Sequence, residues 1–300
     1  MIKSSEISIV TPSYNQGRFI ANAIDSVLSQ VNLDLNLQYV VMDKVSSDQT
    51  LEVLKKYQGR DDLTVVISED EGQADAVNKG FKYTSGDILG WLNSDDILLP
   101  GSLAAVCKTF EDETIDVVYG DAYFIDKNLR ILGKYPTSKI DQSLFHSTCI
   151  LSQPSVFFRR SLFEKVGGLN TNLHYCLDYN LWIRFYKSGA SFKYIRKTLS
   201  ATRIHRNTKT AQGGDKFVNE LIDMLKEELG CLPVVWSIYA DYSQKKEYRK
   251  IFVPWKLLTS CFSAIVRSPA SFPIIIRWFI HISKRKIKNT VRYGVFRKKI

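Results

Sequence analysis

The amino-acid sequence predicts an α/β fold, a mostly parallel sheet flanked by helices, followed by a basic helical extension at the C-terminal end. Three observations lead there. Short apolar runs alternate with segments of helical period, each run ends in a polar or acidic turn, and charge separates into a near-neutral body and a strongly basic end. Alternation at this interval implies right-handed crossovers between parallel strands, with ligands taken at the carboxyl ends of the strands.

Residues 7–10 form the first apolar run, which ends at Thr11, Pro12 and Ser13. Phe19, Ile20, Ala23, Ile24, Val27 and Leu28 then recur at helical spacing between residues 17 and 30. The second run, 37–42, ends at Asp43. Ser46, Ser47 and Asp48 offer helix N-caps after it, and Leu51, Val53, Leu54 and Tyr57 continue on a mainly helical period. A strand over 63–67 pairs with a helix from about 73 to 83, and residues 87–92 begin a fourth unit. Thr11, Asp43, Glu69 with Asp70, and Asp95 with Asp96 therefore fall at one sheet edge. Trp91 and Trp182 read as core, and a polar helix is expected over 214–229, with Phe217, Leu221, Leu225 and Leu229 on one face.

The 300 residues are 45% hydrophobic and 24% charged, a balance that suits a globular body and excludes intrinsic disorder. Five cysteines with no C-x-x-C pair suggest neither a disulfide framework nor a zinc site, and point to a reducing, cytoplasmic compartment. The N-terminal residues show no basic n-region or long apolar h-region, so no signal peptide is expected. A net charge of +10 resembles a nucleic-acid signature until it is divided by position. Residues 231–300 carry 15 Lys and Arg against 2 Asp and Glu, a net +13, while residues 1–230 carry 26 against 29, a net −3. No nucleic-acid partner is expected in a body of that sign.

The extension contains uncharged stretches at 257–266 and 268–276, separated by Arg267 and followed by Arg277. Neither approaches the roughly 20 apolar residues that span a bilayer, and each arginine at the centre of a span costs about 2.5 to 3.5 kcal/mol, so a transmembrane helix is excluded. Phe272, Ile274, Trp278, Phe279 and Ile280 beside Arg277, Lys284, Arg285, Lys286 and Lys288 suit a helix lying in an anionic membrane surface at its inner face. The alternative is that these apolar residues complete the protein core and the basic ones are its wet side.

Several carboxylates at one sheet edge are costly without a cation among them, and Asn93-Ser94-Asp95-Asp96 offers the oxygen donors that Mg²⁺ or Mn²⁺ prefers. A loop whose aspartates cap a helix beginning near Pro100 is the plainer reading of the same residues. No G-x-x-x-x-G-K-[ST] or G-x-G-x-x-G motif is present, so any phosphate must be held by metal and side chains.

A series of motifs resembles the inverting nucleotide-sugar glycosyltransferases of family 2, which have the GT-A fold. They are Ile9-Val10-Thr11-Pro12-Ser13-Tyr14-Asn15, the segment from Ser68 to Gly80 containing Asp70-Glu71-Gly72-Gln73, Gly86 to Asp96, Gln153-Pro154-Ser155 to Gly168, and Leu177-Asp178-Tyr179-Asn180-Leu181-Trp182. The likeness spans about residues 5–210. It implies a body over 1–230, with a nucleotide-sugar half to about residue 100 and an acceptor half beyond it, and a basic aromatic tail over 231–300. It further implies a nucleoside lying against Thr11, Pro12, Tyr14 and Asn15, Asp43 accepting a base N–H, and Asp70, Gln73 and Lys79 lining the donor side. Asp96 is implied as ligand of a Mg²⁺ or Mn²⁺ ion on the diphosphate, with Asp95 beside it on ribose or metal. Asp178 is implied as the general base, although by pattern alone the N-cap of the helix that follows is the preferred reading. His205 falls in a loop resembling one that closes over the diphosphate, and is a candidate metal or phosphate contact against the plain reading of a solvated loop histidine. Gln153 is a candidate contact for acceptor or donor sugar.

The function implied is transfer of a sugar from a nucleotide-diphospho-sugar to an acceptor hydroxyl, in surface polysaccharide or glycolipid synthesis, with a saccharide or lipid-linked saccharide as acceptor. One departure stands out: Asp43-Lys44-Val45-Ser46-Ser47-Asp48 replaces the family's Asp-Gly-Gly-Ser-Thr-Asp. Valine is a poor occupant of a turn that needs positive φ. Altered donor binding, or a non-catalytic nucleotide-sugar binder, is the expectation attached to that change.

Overall fold

The computed structural model describes residues 6–31, 35–141, 145, 149–205, 208–230, 232–233 and 236. The membrane-lying helix expected from the tail falls outside the described residues. The chain divides into two compact units, residues 1–140 with 149–220, and residues 141–148 with 221–300. The sheet and the candidate site described below lie in the first.

Its amino-terminal half runs β1 (Glu6–Ser13), α1 (Ile20–Leu28), β2 (Asn36–Asp43), α2 (Thr50–Lys55), β3 (Leu63–Ile67), α3 (Gln73–Phe81) and β4 (Ile88–Trp91). The four strands are parallel in the order β3-β2-β1-β4, with Ser13 beside Asp43 and Asp43 beside Ile67 at the carboxyl edge. β1 is buried from Ile7 to Ser13 without alternation, as a central strand covered on both faces must be. α1 has no side-chain cap; burial of Ile20, Ala23, Ile24 and Val27 holds it, at about 1.5 to 3 kcal/mol for each large apolar side chain. In α3 the absence of a Cβ at Gly80 lets the helix lie on β1, because a methyl there would sit 2.5 Å from Val10 Cγ1.

The second half adds β5 (Ile97–Leu98), α4 (Ser102–Phe110), β6 (Val117–Ile125), β7 (Ile131–Lys134), a 3-10 turn at Gln153–Ser155, β8 (Val156–Arg159), α5 (Arg160–Lys165), α6 (Leu177–Lys187), β9 (Phe192–Arg203), α7 (Lys209–Gln212) and α8 (Gly214–Leu229). These strands continue the sheet as β4-β8-β6-β9-β5, with β7 on β6. β8 is antiparallel to both β4 and β6, and β9 returns parallel to β6. The sheet is thus uniformly parallel in its first half and mixed in its second.

Two cores hold the sheet. An aliphatic one gathers Ile7, Ile9, Ile24, Val41, Leu103, Val106 and Phe157. An aromatic one fixes α6 on β4 and β8: Trp91 stacks on Trp182 at 5.6 Å, and Phe158 meets Trp182 at 5.9 Å and Phe185 at 5.1 Å. Both tryptophans are core, as the sequence suggests. Through them the helix bearing Asp178 is set against the strand that leads to Asp95.

β6 and β9 approach closely at Gly120, where a Cβ would lie 2.5 Å from the Lys197 carbonyl oxygen and 2.6 Å from Leu199 Cγ. Backbone cannot yield as a side-chain tip can. Gly120→Ala is expected to lower stability by about 1 to 3 kcal/mol, read as a fall in the denaturation midpoint; an unchanged midpoint would contradict the tight β6–β9 contact.

Candidate active site

The loop after β4 is built by a residue more than a hundred positions downstream. Arg203, 1% exposed, directs Nε to the Asp95 carbonyl at 2.6 Å, one terminal nitrogen to the Lys127 and Asp126 carbonyls at 3.1 and 3.3 Å, and the other to Asn22 Oδ1 at 3.4 Å. Its guanidinium lies 4.6 Å from the Phe19 ring centroid, and its backbone N–H donates to Asp96 Oδ1 at 2.8 Å. Asp96 is 3% exposed, and Asn93 Nδ2 lies 3.4 Å from its other oxygen. Burial first, and the neighbouring Asp95 charge second, push the Asp96 carboxyl well above the ordinary carboxylate range.

Asp95 instead takes the more open place. Its Oδ2 lies 3.0 Å from His205 Nε2, and the His205 ring rests on Phe19 at 5.0 Å. Of the metal ligands expected from sequence, Asp96 spends its oxygens on the loop's own hydrogen bonds, and His205 lies beside Asp95. Among the described residues no three His, Cys, Asp or Glu side chains gather around one point. A two-ligand set still fits a hard divalent ion that draws most of its oxygens from a diphosphate and water.

The donor-side residues divide between framework and surface. Thr11 is buried with its hydroxyl 2.8 Å from the Tyr39 hydroxyl, and Pro12 is buried beside it. Tyr14, 55% exposed, does present its ring to solvent. Asn15 Oδ1 accepts the backbone N–H groups of Ser47 and Asp48 at 2.9 and 3.3 Å, stitching the loops after β1 and β2. Asp43 is buried and accepts from the Ser13 hydroxyl at 2.7 Å, the Ser46 N–H at 2.8 Å and the Ser46 hydroxyl at 2.8 Å. Its carboxylate thus ties Ser13 to Ser46 and builds the loop.

Inside that loop Val45 adopts φ 46°, the left-handed region that glycine occupies freely, with its side chain 47% exposed. The surrounding bonds from Asp43 and Asn15 hold the glycine-type turn despite the β-branched residue. Lys44 reaches across to the loop after β3, where its ammonium lies 2.5 Å from the Asp70 carbonyl oxygen and 3.4 Å from Asp70 Oδ1. Asp70 Oδ1 also accepts the Gly72 N–H at 2.8 Å, at the start of α3. Gln73 Nε2 donates to Asn93 Oδ1 at 2.6 Å, joining α3 to the Asp95 loop. Lys79 pairs with Asp75 at 2.7 Å and donates to the Glu69 carbonyl at 3.2 Å.

On the other side, Gln153 is 9% exposed and donates to the Trp91 carbonyl at 2.7 Å, while its Oε1 has no hydrogen-bond partner among the described residues. It is placed to support β4. Asp178 is the second residue of α6, not its N-cap, which is Cys176. The Tyr179 N–H donates to one carboxylate oxygen at 2.8 Å. Burial pushes the Asp178 carboxyl up to about 6, against the smaller opposing effect of backbone N–H donors. A carboxyl poised there ionises close to neutrality and suits proton abstraction.

The glycosyl transferase family 2 model matches residues 8–167. The chain belongs to that family. An uncharacterised glycosyltransferase of Rickettsia prowazekii is 30% identical to this transferase over 226 residues, 70% of this chain and 68% of the relative. Among solved structures, S. aureus TarS 1-349 in complex with UDP-GlcNAc matches with a TM-score of 0.64 at 15% identity, covering 87% of this chain and 80% of that one. Mannosyltransferase PcManGT from Pyrobaculum calidifontis, in complex with GDP-Man and Mn²⁺, matches at 0.61 with 20% identity, covering 94% and 80%. The fold of the transferase is of the GT-A type.

Arg203 is the loop-building residue that sequence reading passes over, since its partners are distant in the chain. Val45 is the feature it anticipates as a difficulty. Left-handed backbone at a β-branched residue costs on the order of 1 to 3 kcal/mol. Val45→Gly is therefore expected to raise the melting temperature of the transferase, after the larger unfolded-state freedom of glycine takes back part of the gain; a lower melting temperature would mean the valine side chain contributes more than its backbone costs.

Proposed function

We propose that this glycosyltransferase moves a sugar from a nucleoside-diphosphate sugar to a hydroxyl of a saccharide or lipid-linked saccharide, with inversion, and that Asp178 is the general base. The observation that carries the reading is the raised Asp178 carboxyl on the helix that Trp91 and Trp182 fix to the Asp95 strand. In this reading the acceptor oxygen attacks the anomeric carbon from the face opposite the diphosphate while Asp178 takes its proton, and one displacement inverts the configuration. Tyr14 offers its exposed ring to the nucleoside, and Lys44 with Asp70 lines the donor side. Asp95 and His205 would hold Mg²⁺ or Mn²⁺, which when bound supplies positive charge to the departing diphosphate.

The ligands of TarS and PcManGT support a donor of this chemical class, and the Mn²⁺ of the second supports a divalent ion. Surface polysaccharide or glycolipid synthesis at the inner face of the membrane is the setting that suits the basic extension, its 15 Lys and Arg attracted to anionic lipid. No helix among the described residues is long and apolar enough to cross a membrane. A second reading, a nucleotide-sugar binder without turnover, is favoured by the pairing of Lys44 with Asp70 inside the donor loop. Nucleotide binding with no diphosphate release across a panel of donors would select it.

Two sets of outcomes are expected, the first at Asp178 and the second at Asp95. Turnover should fall as pH drops through about 6, because the base must be ionised. Asp178→Asn should abolish turnover yet raise stability at pH 7. The folded-state carboxyl is raised, so its ionisation penalises the fold progressively between the ordinary value of 3.8 and about 6 and fully above that, by on the order of 1 to 3 kcal/mol. Retained activity in this variant would remove the base assignment. Second, UDP or GDP should raise the melting temperature more in the presence of Mn²⁺, and Asp95→Ala should erase that metal-dependent increment. An increment that survives in Asp95→Ala would count against Asp95 as the metal-holding carboxylate.

A further inference from the structure

We infer that Glu220 is a positioning residue for the Asp178 base: from α8 its carboxylate gathers the consecutive backbone N–H groups of His174, Tyr175 and Cys176 and so sets where α6 begins. The inference rests on the reading of Asp178 given above. Glu220 Oε2 accepts from His174 at 2.9 Å, and Oε1 accepts from Tyr175 at 2.6 Å and Cys176 at 2.7 Å. Three donors on one carboxylate are charge-assisted bonds, about twice as strong as neutral ones.

The local sequence supplies nothing equivalent. Cys176 occupies the N-cap place with no side-chain cap bond, and a thiol is a weak acceptor where serine, threonine, aspartate or asparagine would serve. The N–H groups of the N-cap and of the two residues leading into it are instead met from 44 to 46 residues away. Other contacts brace the same strap: the Phe217 ring meets Tyr175 at 6.1 Å, edge to face, and the Lys209 ammonium lies 3.4 Å from the His174 carbonyl.

Asp178 stands two residues beyond Cys176, in the first turn of α6. The direction of its side chain follows from the register in which that turn starts, and a base misplaced by about 1 Å loses on the order of a hundredfold in rate. The aromatic core secures α6 further along, at Trp182 and Phe185, so loss of the Glu220 bonds frees the first turn while leaving the body of the helix in place. Glu220 also lies well beyond residues 8–167, the portion matched by the family.

The test uses the full chain with Glu220→Gln and Glu220→Ala beside Asp178→Asn. Release of UDP from UDP-GlcNAc or of GDP from GDP-mannose is followed, whichever donor binds, with simple glycosides as acceptors. Amide hydrogen exchange at residues 174–176 should quicken by about tenfold or more in both Glu220 variants. Turnover should fall about tenfold in Glu220→Gln, which keeps one acceptor oxygen, and further in Glu220→Ala, with the donor KM nearly unchanged and a fall in melting temperature far too small to account for the lost turnover at the assay temperature. Turnover lost in Asp178→Asn but intact in Glu220→Ala overturns the positioning role alone. Turnover that survives Asp178→Asn overturns the base assignment and this role with it. Equal losses in kcat, donor affinity and melting temperature would mark Glu220 as a general structural residue and also overturn the inference.

Discussion

The buried guanidinium of Arg203 is the constraint around which the site is arranged. A charge so fully removed from water is expensive unless its donors are satisfied, and here carbonyls from the Asp95 loop and from the segment after β6 satisfy them together with Asn22 and the face of Phe19. The acceptors come from three separate parts of the chain. The side chain therefore draws α1, the end of β6 and the turn after β4 to one point, and the strand that carries it delivers His205 two residues later. Removal of such a residue would leave its acceptors unpaired, which is why the geometry of the Asp95–His205 pair cannot be separated from the packing beneath it.

A second principle is the division of labour between polar residues at the sheet edge. Thr11, Asp43 and Asp96 turn inward and spend their hydrogen bonds on loop construction, whereas Tyr14, Asp95 and Lys44 stand where a ligand could meet them. Inward residues make the outward ones rigid. Asp43 shows how: three donors on its carboxylate hold Ser46 against Ser13, and the left-handed turn at Val45 is kept in shape by that clamp.

How much of this is legible in the sequence follows from the range of the interactions. The four parallel strands and their helices are visible because each buried strand reads as an unbroken apolar run and each helix as a periodic one. The second half is harder: β9 mixes Lys193, Arg196, Lys197 and Arg203 with apolar residues and shifts register against β6 near Gly120, so no clean alternation marks it. Motif position places Asp95 and Asp178 at the site, but it does not tell Asp95 from Asp96. That choice is made by the N–H of Arg203, 107 residues away in sequence. Glu220 is hidden for the same reason, since a glutamate in a polar amphipathic helix looks like one more solvated charge.

The parallel return of β9 along β6 has a temporal consequence. Strands β1 to β4 can pair as soon as they are made, since every contact among them is closed within the first ninety or so residues. The turn after β4, however, has no guanidinium to shape it until Arg203 is made, and the end of α6 that bears Asp178 has no carboxylate anchor until Glu220 follows. During synthesis on the ribosome the nascent chain therefore holds a formed sheet with an unfinished active edge across more than a hundred residues of elongation, the delay that long-range closure imposes on non-local topology. On that order the active edge is completed late, with the end of β9 and the second turn of α8.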